Sequence, residues 1–240
     1  MDSGPVTRLG VVGCGLMGSG IAEVAARSGI DVRVAEATPD AIAAGRSRLL
    51  ASLDRGLRSD KLSEEQRDRA LARLSFTGDL GDMADRQFVI EAVAENRDIK
   101  TDVLRALDRA VEDPAAVLAT NTSSIPIVDL AVVTERPARV IGMHFFNPVP
   151  VQRLVELIPS LTTSADTLRR TRGLAGQLGK RAIEAPDRSG FVVNALLVPY
   201  LLSAVRMVES GSARPDDIDR GMELGCAHPM GPLRRLSATV

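Results

Sequence analysis

Apolar positions in the first 150 residues gather into short blocks. The blocks Leu9–Val12, Val32–Ala35, Phe88–Ala92, Val117–Thr120 and Val140–His144 are bounded by polar or glycine-rich turns, the pattern of buried strands. Between them, apolar residues recur at helical spacing over Leu16–Arg27, Ala41–Arg58, Glu64–Leu74, Arg97–Val111 and Ile125–Ala131. This alternation predicts an α/β fold, a doubly wound parallel sheet with helices on both faces. Glu64–Arg73 is charged and periodic and reads as a solvated hairpin arm or outer helix. Pro148 and Pro150 mark a turn, Val151–Ile158 a further strand, and Thr167–Leu178 a helix ended by Gly179.

After Pro186 the pattern becomes helical. Asp187-Arg188-Ser189-Gly190 reads as a turn and cap cluster, followed by helices over Phe191–Glu209 and Pro215–Leu224, the second with proline at its favoured first position. The boundary is placed near residue 186, giving domains 1–185 and 186–240. The run Phe191–Val205 is broken by Asn194, Pro199 and Ser203 and followed by Arg206. A membrane span needs roughly 20 apolar residues, so a buried helix is expected. Phe191–Glu209 is apolar around most of its circumference and wants cover on every side. One short helix and the polar tail from Arg234 cannot supply it, so either a second copy of the chain covers the remaining face or the chain aggregates.

Composition narrows the function. Among 240 residues, 30 Lys and Arg balance 31 Asp and Glu for a net charge of −1, and the aromatics are five Phe and one Tyr. Neither a basic face nor a set of stacking platforms for nucleic acid follows from that. The two cysteines, Cys14 and Cys226, are too far apart in sequence for a CxxC pair, so neither a disulfide framework nor a metal site is expected. The opening MDSGPVTR has no apolar core of a signal peptide, and a cytoplasmic location is the expectation.

Four constellations could carry chemistry. Gly13-Cys14-Gly15-Leu16-Met17-Gly18 lies between a predicted strand and helix, and the next strand ends at Glu36, 18 residues after Gly18. Here Gly13 permits the turn, Gly15 lets a pyrophosphate approach the backbone, and Gly18 lets helix and sheet pack closely. Glu36 can accept the ribose hydroxyls and repel a 2′-phosphate, so the domain reads as Rossmann-like and the cofactor as NAD. A glycine-rich turn alone would not place the acid in register.

His144 ends a predicted strand and Glu156 lies in the next, six residues on either side of Pro150. Antiparallel strands would bring them together as a general base and the carboxylate that orients it. Spacing alone leaves open a strand-end histidine bonded to backbone, with Glu156 on the surface. Thr120-Asn121-Thr122-Ser123-Ser124 follows a strand, where its polar groups can bind a carbonyl oxygen or a nicotinamide, or cap the helix from Ile125. Ser123 facing the ligand with Ser124 capping satisfies both. Asn194 within the apolar run reads as a core amide, His228 as structural, and Cys14 as packed without a redox role.

The strings GCGLMGSGIAEVAA, IEAVAEN, TNTSSIPI, HFFNPVPV, LVELI, DRSGFVVNALLVPYL and HPMGPL occur in order. They resemble the short-chain 3-hydroxyacyl-CoA dehydrogenases, nearest to the bacterial 3-hydroxybutyryl-CoA branch, over Arg8 to about Pro232. The resemblance implies His144 as base and Glu156 as its partner. It implies Ser123 on the substrate's 3-oxygen and Asn194 completing the site from the helical domain. It implies Asn147 near the nicotinamide and Glu36 on the adenosine ribose, with Glu95 and Lys100 at cofactor-contacting positions. The activity implied is oxidation of a (3S)-3-hydroxyacyl-CoA to the 3-oxoacyl-CoA by NAD, or the reverse, in fatty acid metabolism, by a homodimer. Two departures stand out. Ser52 matches a CoA-contacting position, but the second, often lysine in the family, falls on Ser59, with Arg58 and Lys61 close by. The chain also ends in Arg234–Val240 where the family continues, so the helical domain reads as truncated. Alternatives are an inactive NAD-binding fragment, or another hydroxy-acid dehydrogenase on this scaffold; the latter typically uses a lysine base, against which His144 speaks.

Overall fold

A computed structural model describes residues 4–237, and the chain divides into two compact units, 1–189 and 190–240. The first is built on one eight-stranded sheet. Its strands are β1 (Arg8–Val12), β2 (Asp31–Ala35), β3 (Leu74–Thr77), β4 (Phe88–Glu91), β5 (Val117–Thr120), β6 (Val140–Phe145), β7 (Leu154–Ile158) and β8 (Arg181–Glu184). Its helices are α1 (Leu16–Arg27), α2 (Pro39–Arg58), α3 (Glu64–Leu71), α4 (Arg97–Ala110), α5 (Ile127–Ala131) and α6 (Ala165–Gln177).

The strand order is β3-β2-β1-β4-β5-β6-β7-β8. Strands β1 to β6 are parallel, β7 is antiparallel to β6, and β8 is parallel to β7. The chain travels outward from β1 to β3, returns to β4 on the other side of β1, and continues away. That reversal opens a crevice at the carboxyl ends of β1 and β4, where such sheets bind ligands. The inner strands β4, β5 and β6 are buried at every residue, as parallel strands covered on both faces must be. Thr38, Ser63, Asn96 and Ser164 cap α2, α3, α4 and α6 with side-chain oxygens on first-turn N–H groups.

The sequence pattern and the structure part at a few places. The helix expected over Glu64–Leu74 stops at Leu71, and Leu74–Thr77 becomes an edge strand against β2. The open edge of β2 needs backbone partners, a demand that the charged local sequence does not reveal. The four-residue β8 meets the same need at the other edge, beside β7. Strand β7 starts at Leu154 rather than Val151, because the N–H groups of Val151 and Gln152 both turn back to the Pro148 carbonyl. Helix α5 starts at Ile127 rather than Ile125. Its first N–H groups, of Ile127 and Val128, donate to the Asp187 carboxylate at 2.7 and 2.9 Å, so Asp187 holds these positions and not Ser124.

Among the described residues the second unit has three helices, α7 (Val193–Glu209), α8 (Pro215–Gly225) and α9 (Pro232–Ser237). Helix α7 begins two residues after the expected Phe191, since Gly190 and Phe191 both take positive φ, 79° and 48°. The buried Asp219 of α8 accepts the N–H groups of Leu233 and Arg234, at 2.8 and 3.1 Å, and so starts α9. Tyr200 Oη and His228 Nδ1 lie 3.2 Å apart and join α7 to the turn after α8, the structural role expected of His228. Among the described residues no helix is long and apolar enough to cross a membrane.

Candidate active site

The carboxyl end of β1 runs into the glycine loop. Gly13 has φ +91°, and a Cβ there would lie 2.6 Å from the Ala92 carbonyl oxygen of the turn after β4. A Cβ at Gly18 would overlap the Gly13 carbonyl oxygen, whereas one at Gly15 would meet nothing within 4 Å. The loop is therefore closed on its sheet side and open above Gly15, where α1 begins with no side-chain cap. This is a cradle for a phosphate at a helix N-terminus. Leu16 is exposed and Met17 half-buried at its rim. Glu36 follows β2 and reaches the loop, accepting the Cys14 N–H. Arg48 of α2 donates to the Cys14 carbonyl at 2.6 Å. Cys14 itself is buried, which pushes its thiol up from 9.0 to about 11; Glu36 adds to the rise and Arg48 opposes it.

His144 and Glu156 stand directly opposite each other in the antiparallel β6–β7 register. Nδ1 of His144 lies 2.8 Å from Oε2 of Glu156, with the two side chains 6% and 0% exposed. Burial makes this bond matter, because an unpaired carboxylate there would be costly. The carboxylate accepts Nδ1–H and so leaves the imidazole lone pair on Nε2. Phe146 packs edge-on to the imidazole, ring centroids 4.7 Å apart. Asn147 follows, exposed, joined to Pro148 by a cis bond.

Ser123 lies in the loop after β5, the strand beside β6. Glu95 organises that loop. Its Oε1 accepts from Thr122 Oγ1 at 2.5 Å, Ser123 N at 2.9 Å, Ser124 N at 3.2 Å and Ser124 Oγ at 3.1 Å. Partial burial raises the Glu95 carboxyl, but these bonds and Lys100 outweigh it and hold it below the ordinary value. Lys100 is buried. Its Nζ lies 2.7 Å from Glu91 Oε1 and 3.4 Å from Glu95 Oε2.

Ser52 of α2 lies elsewhere, on the wall of a cleft of about 990 Å³ that Arg27, Arg55, Lys61, Arg153 and Lys180 also line. Ser59 is there too, and Glu23 is the one carboxylate among the described lining residues. Lys180 donates to the carbonyls of Val149 and Gln152, at 2.5 and 2.7 Å. Burial holds its pKa down, Arg27 adds to the effect, and Glu23 opposes it. Such a cation-rich cleft suits a ligand bearing several phosphates.

The structure thus brings the glycine loop, Glu95, Ser123 and His144 to the carboxyl ends of neighbouring strands, while Ser52 lines the cleft beside α2. Asn194 is the second residue of α7, half-buried, in the second unit. Among the described residues no group of histidines, cysteines or carboxylates could hold a metal.

Residues 8–188 match the model of the 3-hydroxyacyl-CoA dehydrogenase NAD binding domain, and residues 190–239 that of the family's C-terminal domain. The chain belongs to the 3-hydroxyacyl-CoA dehydrogenase family. It is 55% identical to the 3-hydroxybutyryl-CoA dehydrogenase of Mycobacterium tuberculosis over 233 residues, 97% of this chain and 82% of the relative. The crystal structure of M. tuberculosis FadB2 matches with a TM-score of 0.95 at 55% identity, covering 97% of this chain and 82% of that one. The (S)-3-hydroxybutyryl-CoA dehydrogenase of Ralstonia eutropha matches at 0.92 and 43% identity, covering 95% and 80%. The chain is therefore an oxidoreductase homologue with an NAD-binding domain, and the open glycine cradle fits that cofactor.

Of the residues that shape this candidate site, Glu91 carries no sequence expectation, while Asn121 and Asp187 fall in segments expected to bind or cap and have other partners. Glu91 ends β4 beneath Lys100, and a carboxylate closing an otherwise apolar strand is the signal that could have marked it. Asn121 accepts the Phe145 N–H at 2.9 Å and ties the Ser123 loop to the strand of His144. Asp187 caps α5, a partner that its place in the turn and cap cluster did not name.

Proposed function

We propose that the chain oxidises (3S)-3-hydroxybutyryl-CoA, or a similar short 3-hydroxyacyl-CoA of fatty acid metabolism, to the 3-oxoacyl-CoA, or catalyses the reverse. The observation that carries this reading is the buried His144–Glu156 pair at 2.8 Å. NAD, when bound, supplies the hydride acceptor. His144 Nε2 takes the proton of the 3-hydroxyl, and Glu156 keeps the base in the right tautomer and stabilises the imidazolium that forms. Ser123 holds the 3-oxygen, on a loop fixed by Glu95. Glu36 takes the adenosine ribose hydroxyls and Asn147 serves the nicotinamide end; Glu95 and Lys100 are assigned to the cofactor on the resemblance alone. Ser52 and the cationic cleft take the phosphates of CoA. Asn194 is assigned to the substrate on the resemblance alone.

We also infer a homodimer. What supports it is apolar surface on the second unit: Leu196 is 72% exposed and Leu224 80%, with Val198, Leu202 and Met207 exposed as well. The test is one purified sample. With 3-hydroxybutyryl-CoA it is expected to form NADH from NAD and far less NADPH from NADP, His144→Ala is expected to lower kcat by ~10²–10⁴ while NADH still binds, and light scattering is expected to give twice the chain mass. Near-normal turnover by His144→Ala refutes the assignment of the base, and a monomer refutes the dimer.

A further inference from the structure

A line of charge runs from the buried end of the sheet to Glu95 at the Ser123 loop. Glu91 is wholly buried at the end of β4. Its Oε1 accepts from Lys100 Nζ and from Val93 N, both at 2.7 Å, and its Oε2 accepts from Thr120 Oγ1 at 2.6 Å. Lys100, also buried, is held to the Val93 carbonyl at 3.3 Å and faces Glu95 at 3.4 Å. Pairing explains why a carboxylate and an ammonium survive burial. It does not explain why one ammonium stands between two carboxylates at unequal distances. The nearer carboxylate belongs to the rigid sheet, and the farther one gathers the donors of a loop.

We propose that Glu91 is a positioning residue for Ser123. By holding the Lys100 ammonium against the sheet, it keeps Glu95 from closing a full ion pair with Lys100. Glu95 Oε1 then stays with Thr122, Ser123 and Ser124. Without the Glu91 charge the ammonium turns to Glu95, the carboxylate is drawn inward, and the loop loses its anchor. Glu91 needs no contact with any ligand to do this. The proposal rests on the reading that Ser123 holds the 3-oxygen.

Glu91→Gln keeps the shape. Its amide oxygen can still accept from Lys100 and Val93 while its NH₂ meets Thr120. In the cofactor-free protein, amide exchange at Ser123 and Ser124 is expected to accelerate about tenfold. In turnover of the 3-deuterated substrate, kcat per titrated site is expected to fall about tenfold with a larger isotope effect, because a misplaced substrate slows hydride transfer. A merely structural role would lower the melting temperature or the number of active sites and move neither quantity. E91Q/K100M, which also removes the competing ammonium, is expected to return the loop toward wild-type protection. Unchanged exchange and isotope effect in E91Q, or a double variant as loose as the single, overturns the proposal. Where E91Q does not fold, E91D, which keeps the charge but draws it back, carries the same expectation at smaller size, and unchanged exchange in it is equally fatal. Wild-type protein that makes no NADH while the exchange responds refutes the function and leaves the positioning role; active wild-type protein with a flat response refutes the role of Glu91 alone.

Discussion

Glu156→Gln isolates what the carboxylate does for His144. The change conserves volume at a side chain with no exposure, so β7 keeps its packing and the loss is electrostatic. When His144 takes a proton, an imidazolium forms beside Glu156, whose oxygen is 2.8 Å from Nδ1. With the charge centres about 4 Å apart and an effective dielectric constant of about 20, the attraction is roughly 4 kcal/mol. At about 1.4 kcal/mol per decade that corresponds to ~10³ in rate. The amide returns part of it by accepting Nδ1–H through its own oxygen, which leaves an expected fall in kcat of ~10²–10³. Should the amide instead offer its NH₂ to Nδ1, the proton moves to Nε2, the base is lost, and the fall approaches ~10⁴.

The assay is steady-state NADH formation per titrated active site, with NADH affinity and cooperative unfolding measured alongside. Affinity for NADH is expected to hold, since Glu36 and the glycine loop are untouched. A folded Glu156→Gln enzyme within about threefold of wild-type kcat would mean that the pair orients nothing of catalytic value. His144 would then have to be replaced as the base in any scheme for this site.

Two further outcomes follow from buried groups. Asp187→Ala leaves the N–H groups of Ile127 and Val128 without their 2.7 and 2.9 Å acceptors; urea unfolding should show a loss of about 1–2 kcal/mol, which Asp187→Asn partly restores, and an unchanged midpoint would mean that water replaces the cap at no cost. The Cys14 thiol, raised from 9.0 to about 11 by burial and by Glu36, binds its proton more tightly folded than unfolded. Its contribution is fully present below pH 9 and is lost as pH rises toward 11, by about 2–3 kcal/mol in all. Cys14→Ala should flatten the stability profile in that window, and an equal slope in both proteins would place the titration elsewhere.

Much of the fold was legible because its inner strands answer to one rule. Parallel strands covered on both faces are mainly apolar, so Phe88–Glu91, Val117–Thr120 and Val140–Phe145 stand out as blocks, with Glu91, Thr120 and His144 the polar residues at or near their ends. Strands β3 and β8 did not, since Leu74–Thr77 and Arg181–Glu184 are only partly covered and belong to the sheet by edge pairing rather than by composition. Helix α7 was legible as a helix but not in its surroundings. Leu201 and Ala204 are buried while Leu196 and Leu202 face outward, so apolarity around the whole circumference did not mean cover on every side within the described chain.

At the site, legibility depended on how many residues separate partners and on what joins them. His144 and Glu156 are 12 residues apart across one turn, and a strand that folds back about Pro150 fixes their register by counting. Glu91 and Thr120 are 29 residues apart on neighbouring parallel strands. Their register depends on how α4 crosses the sheet, which no local count supplies. Lys100 could be marked by its motif, yet its work is decided by a carboxylate nine residues earlier and a second at Glu95. A motif names the side chains at the rim of a site. Whether those side chains are held still is decided underneath, by buried charges whose spacing only the assembled sheet sets. It follows that variants of rim residues should act on binding and chemistry directly. Variants of Glu91 should act through loop order first, and that order can be measured with no ligand present.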